Sequence, residues 1–302
     1  MKEAIKKLKR LKAKRVFLQF PEGLKLRIQK IVKELEKEGF EIITCIEPTY
    51  GACDVREYEA KLLGCDGILH IGHERLFKTK LPVVYWEYFI EADPTPTLEK
   101  EFGKLKDYRK IGLITSIQFV KSIPLVKEYL EKKGKIVFVG KALQYPGQVL
   151  GCRLEAAEKI ENKVDCFLCI SAGKFYSSGA TIWLNKPVLC LDLEKGEIYD
   201  LNSFRDKILK ILTWYKVEFK EATNIGILVS WKKGQLKNSF ELKKKLEKLG
   251  KNIYILAMDE ITPDKLEGLK LDLCINMACP RIGLDDLNRY NIPILNFDQL
   301  EV

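Results

Sequence analysis

RVFLQFPEGLKLRIQKIVKELEKEGFEIITC, residues 15–45, carries the pattern on which the rest of the chain is built. RVFLQF is a short apolar run of the kind that fills a buried strand. Ile28, Ile31, Val32 and Leu35 then recur at helical spacing, and Gly39 stands where a C′ glycine ends a helix before the second apolar run. The same order returns in KIGLITSIQFVKSIPLVKEYLEKKGKIVFVG from Lys110, with Gly134, and in NIGILVSWKKGQLKNSFELKKKLEKLGKNIYILA from Asn224, with Gly250. Each copy continues to a third apolar run: CDGILHIG from Cys65, VDCFLCISAG from Val164, LDLCINMAC from Leu271. A fourth is introduced by proline: LPVVYWEY from Leu81, KPVLCLDLE from Lys186, IPILNFDQL from Ile292. Near-continuous apolar runs alternating with helices predict parallel strands covered on both faces and joined by right-handed crossovers. The fold class is therefore α/β: three pseudo-repeated small layered α/β domains with mainly parallel four-stranded sheets. Their expected bounds are 1–108, 109–218 and 219–302. A single doubly wound sheet is the simpler alternative; the matched glycines and proline-led fourth runs favour repeats.

The chain has 302 residues, 46% of them hydrophobic, enough for a substantial core. It lacks an apolar run of about eighteen residues, and its start, MKEAIKKLKRLKAKR, has no signal-peptide core, so a membrane span is excluded and a cytoplasmic protein is expected. Ile5, Leu8 and Leu11 predict that this start is a packed amphipathic helix. The formal charge of +10 could draw a polyanion. Lys and Glu nevertheless interleave along the helices, as on solvated faces, which argues against a nucleic-acid partner.

Nine cysteines in a reducing compartment read as buried thiols and metal ligands, not as a disulfide framework. Cys45, Cys65, Cys166, Cys169, Cys190 and Cys274 fall in or at the entrance of strand patterns. Cys166 and Cys169 form a CxxC, but within a strand they point to opposite faces. Cys53, Cys152 and Cys279 instead lie in loops beyond the carboxyl ends of predicted strands, one in each repeat, where parallel α/β domains gather their chemistry. Gly51 and Gly151 let the chain bend close to a bulky group, and Pro280 restricts Cys279. Thiolate suits zinc or an iron–sulfur cluster, and three protein ligands leave one coordination position open.

QFPEGL from Gln19, YGACD from Tyr50, HIGH from His70, GQVLGC from Gly147, VSWKKGQ from Val229 and NMACPRIGLDD from Asn276 together resemble the archaeal radical enzymes of diphthamide biosynthesis, the 2-(3-amino-3-carboxypropyl)histidine synthases. The resemblance covers essentially the whole chain. It implies a homodimer in which Cys53, Cys152 and Cys279 hold a [4Fe-4S] cluster, with S-adenosylmethionine beside the unique iron. It further implies reductive cleavage of the Cγ–S bond to methylthioadenosine and a 3-amino-3-carboxypropyl radical. That radical adds to a histidine of elongation factor 2, with the electron coming from an unidentified donor. No general base is nominated, because the chemistry belongs to the cluster. One departure is Tyr176, within GKFYSSG (173–179), where the resemblance carries a histidine.

Ser230 and Gln235, in the loop after the first strand of the third repeat, are candidates for contacting S-adenosylmethionine, as is Arg281 beside Cys279 through its planar fork. Arg281 could equally pair with Asp285 or Asp286. HIGH is also the signature of class I aminoacyl-tRNA synthetases, but it follows a third strand here and has no KMSKS-like companion. Two rival readings use the same three cysteines: a quinolinate synthase-like iron–sulfur enzyme, and a non-enzymatic cluster- or zinc-binding partner protein.

Overall fold

The computed structural model describes residues 1–285 and 287–300. Three sheets form. The first comprises β1 (Arg15–Gln19), β2 (Glu41–Thr44), β3 (Gly67–Ile71) and β4 (Val83–Trp86). The second comprises β5 (Lys110–Thr115), β6 (Ile136–Phe138), β7 (Cys166–Ser171), β8 (Val188–Asp192) and β9 (Glu197–Asp200). The third comprises β10 (Asn224–Ser230), β11 (Asn252–Met258), β12 (Leu273–Asn276) and β13 (Ile294–Asn296). Their strand orders, β2-β1-β3-β4, β6-β5-β7-β8 and β11-β10-β12-β13, are one order three times, and all these pairs are parallel.

The middle sheet corrects the four-stranded expectation, because β9 adds a fifth, antiparallel strand to β8. EIYD is too short and polar to stand out in sequence. The hairpin is made by Gly196 at φ +64° and by the Asp192 carboxylate, which accepts from the backbone N–H of Glu194 and Lys195.

Two compact units result. One is Met1–Phe89 together with Lys232–Gln235; the other is Ile90–Trp231 together with the chain from Leu236 onward. In the first, Val16 and Leu18 of β1 pack with Leu35 of the following helix and Leu69 of β3, while Phe17 and Ile68 turn to the opposite face, against Ala60 and Leu81. This is the period-two alternation of a strand covered on both sides. In the second, Cys166, Leu168 and Ile170 of β7 enter one core and Phe167 and Cys169 the other, so the CxxC pair does point apart. The helix Asn202–Glu221 and the helix Phe175–Trp183 pack into the core of the third sheet. The N-terminal segment is the helix Lys2–Arg10, with Ala4 and Leu8 buried.

Two details repeat beyond strand order. Gly39, Gly134 and Gly250 all have φ between +78° and +91°, the left-handed conformation that ends a helix. An aspartate just before each third strand grips the start of each first strand: Asp66 accepts from Lys14 N–H, Asp165 from Arg109 and Lys110, Asp272 from Thr223 and Asn224, at 2.7–3.0 Å. Those backbone bonds hold the Asp165 and Asp272 carboxyls below the usual range. Among the described residues no helix is long and apolar enough to cross a membrane.

Candidate metal centre

The end of β1 fixes the Cys53 loop. Gln19, fully buried, donates from Nε2 to the Asp54 carbonyl (3.0 Å) and accepts from Arg56 N–H (3.0 Å). Lys232–Gln235 then closes on the same loop. Gly234 N–H donates to the Cys53 carbonyl (3.1 Å), and Gln235 Nε2 donates to Cys53 Sγ (3.3 Å). A Cβ on Gly234 would lie 2.4 Å from Cys53 Cα, so only glycine permits this approach. Lys232 Nζ pairs with Asp54 Oδ2 at 3.1 Å with both side chains buried, and Arg56 Nε lies 3.9 Å from Asp54 Oδ1. Lys233 donates to the Lys78 carbonyl at 2.8 Å and lies over the Phe77 ring. Burial pushes the Cys53 thiol up, while the Gln235 hydrogen bond and the Lys232 charge work to lower it.

The Cys152 loop is a tight turn beyond the end of β5. Thr115 exchanges backbone bonds with Gly147 and Val149 (2.8 and 2.9 Å), and Leu150 and Arg153 bond across Gly151–Cys152. A Cβ on Gly151 would meet the Phe175 ring at 2.6 Å, so the turn lies flat on that ring. Cys152 is exposed. In the Cys279 loop, Asn276 and Asn296, paired across β12 and β13, join through Asn276 Nδ2 and Asn296 Oδ1 at 2.7 Å. Asn276 also donates to the Cys279 carbonyl, and Asn296 to that of Pro280, both at 2.8 Å.

Arg281 brings the Cys152 and Cys279 loops together. Its guanidinium forms a fork with Asp285, donates to Ser178 Oγ (2.8 Å) and to the Gly151 carbonyl (3.4 Å), and stacks on Phe175 at 4.2 Å. Gly179 leaves the room, since a Cβ there would stand 1.9 Å from Arg281 Nη1. Of the two anticipated partners Arg281 takes Asp285; Asp286 lies outside the described residues. Ser230 is buried and donates to the Asp259 carbonyl at 2.9 Å. Tyr176 packs near Cys152 and Cys169, with its hydroxyl bonded to Ser116 and pushed up to about 12, mostly by burial.

Other cysteines behave as packing thiols: burial pushes Cys166 and Cys274 up to about 12 and holds Cys169 well above the usual thiol range. No disulfide joins any of the nine. In HIGH, His70 Nε2 and His73 Nδ1 are 3.0 Å apart, and burial lowers both, His73 to about 4. Among the described residues no three His, Cys, Asp or Glu side chains are grouped to hold a single metal ion. The donor set does fit a thiolate-bound group at Cys53, because a ligated sulfur is an acceptor and Gln235 aims an N–H at it. Lys232 and Gly234 were not foreseen; KK beside Gly reads in sequence as a solvated turn.

Residues 20–302 match the model of the diphthamide synthesis protein family. The chain belongs to this family. It is 32% identical to the 2-(3-amino-3-carboxypropyl)histidine synthase of Pyrococcus horikoshii, over 99% of this chain and 88% of the relative. It is 28% identical to the synthase of the same name from Methanocaldococcus jannaschii, over 95% of this chain and 84% of that one. Among solved structures it is similar to Dph2 from Pyrococcus horikoshii, with TM-score 0.90 and 31% identity, covering 99% of this chain and 88% of the other. A second structure of that protein, with a 4Fe-4S cluster, matches equally well. The three mainly parallel sheets are thus the architecture of the family.

Proposed function

We propose that this chain is a 2-(3-amino-3-carboxypropyl)histidine synthase, a transferase that takes the 3-amino-3-carboxypropyl group from S-adenosylmethionine. The observation that carries the reading is full-length membership of the family, with a relative of the same fold solved with a 4Fe-4S cluster. Cys53, Cys152 and Cys279 are its ligands, one from each repeat of the division 1–108, 109–218 and 219–302. When bound, the cluster supplies the electron for cleaving the Cγ–S bond of S-adenosylmethionine, with methylthioadenosine as the leaving product.

The chain's own residues hold and shield. Gln19, Gly234 and Lys232 set the Cys53 loop, Arg281 ties Gly151 to the segment after Cys279, and the Asn276–Asn296 pair fixes Cys279. With its guanidinium engaged by Asp285 and Ser178, Arg281 serves best as the strut between two ligand loops. In this reading Ser230 and Gln235, at and beyond the end of β10, contact S-adenosylmethionine. The acceptor is a histidine of elongation factor 2, the working form a cytoplasmic homodimer, and the electron comes from an unidentified donor.

The test is anaerobic. Reconstituted, reduced protein is given S-adenosylmethionine with and without elongation factor 2. Methylthioadenosine and a factor heavier by one aminocarboxypropyl group are expected. An intact cluster without cleavage would overturn the reading.

A further inference from the structure

Lys232–Gln235 is the part of the site that the ligand assignment leaves unexplained. Four consecutive residues from the third repeat are built into the compact unit of the first. Each is fixed there separately: Lys232 by Asp54, Lys233 by Glu57 and the Lys78 carbonyl, Gly234 by the Cys53 carbonyl, Gln235 by Cys53 Sγ. Burying the Lys232–Asp54 pair and packing Gly234 so close that a Cβ on it would stand 2.4 Å from Cys53 Cα are costly devices for a surface turn. Their joint effect is to hold the Gln235 amide on one atom, the Cys53 sulfur.

We infer that Gln235 is a positioning residue for the metal centre, whose amide N–H, held on Cys53 Sγ by the Lys232–Gly234 clasp, raises the reduction potential of the cluster. The inference rests on the reading of Cys53 as a ligand. Hydrogen bonds to ligand sulfurs stabilise the more electron-rich, reduced state and are among the levers that set iron–sulfur potentials. A neutral amide can do this without bringing a net charge, and a glutamine cannot lose the donor by titration.

The measurement is a potentiometric titration, followed by electron paramagnetic resonance, of anaerobically reconstituted full-length protein without S-adenosylmethionine. Gln235→Met keeps the length and removes the donor. With iron and sulfide content equal to wild type, its reduced-to-oxidised ratio at a fixed potential should fall about tenfold, about 59 mV for a one-electron couple. Gln235→Glu, also of equal length and without an N–H, should fall at least as far. It carries the test if the methionine variant loads poorly. A potential unchanged in the loaded variant would overturn the inference, whatever the KM for S-adenosylmethionine, and leave Gln235 as a substrate contact alone. Cys53→Ala separates the two levels. If it keeps its full cluster, the ligand reading fails; if it loses the cluster while the Gln235 variants keep the wild-type potential, only this inference fails.

Discussion

Gly179 and Arg281 show how much at this site turns on single atoms. The guanidinium occupies the volume a Gly179 Cβ would need, so Gly179→Ala should destabilise the chain by about 1–3 kcal/mol in chemical denaturation. In an Arg281→Ala background the same change should cost far less, and equal costs in both backgrounds would contradict the packing account. Lys232 is a second case. Lys232→Met leaves the Asp54 carboxylate buried with Arg56 as its distant partner and should cost about 3 kcal/mol, measured the same way. His73 gives a pH signature. Its folded pKa of about 4 lies below the unfolded value of about 6.5, so between those limits the unfolded chain binds the extra proton. Stability contributed by the neutral imidazole is complete above pH 6.5 and is lost by about 1.4 kcal/mol per unit as pH falls toward 4. Denaturation curves from pH 7 to 5 should show a shallower slope in His73→Gln; an unchanged slope would contradict this.

Elements carry the repeat more faithfully than residues do. The strand–helix–glycine–strand order of 15–45, 110–140 and 224–257 was legible because covered parallel strands must be nearly all apolar and a helix must end on a left-handed residue. The aspartate grip was equally present in sequence, as Asp66, Asp165 and Asp272 opening the third runs, but a lone acidic residue before a strand carries no pattern until its partners are seen. Asp165→Ala and Asp272→Ala should each lose about 1 kcal/mol, since both carboxylates are solvent-screened, and the losses should add because the two lie in different sheets. Equilibrium unfolding of the single and double variants checks this. Strand β9 was illegible for the opposite reason: its stability comes from the hairpin at Gly196 and from Tyr199 bonding Asp192, not from apolar patterning.

At the scale of the whole molecule, three copies of one sheet order each present a cysteine in a loop beyond its strands, and a local motif search has nothing to find. The cysteines were separable from the six packing thiols in sequence because those six fall in or at the edge of apolar strand patterns. The clasp around Cys53 was not, since burial of Lys232 depends on Asp54, 178 positions away along the chain, lying opposite it. On the proposed function, a single cluster is held jointly by the three cysteines. Iron and sulfide content, with the cluster's visible absorption, should be measured on anaerobically reconstituted Cys53→Ala, Cys152→Ala, Cys279→Ala and the packing control Cys274→Ala. Each of the first three should lose most of its cluster while Cys274→Ala retains it; full cluster content in any one of the first three would rule out joint ligation.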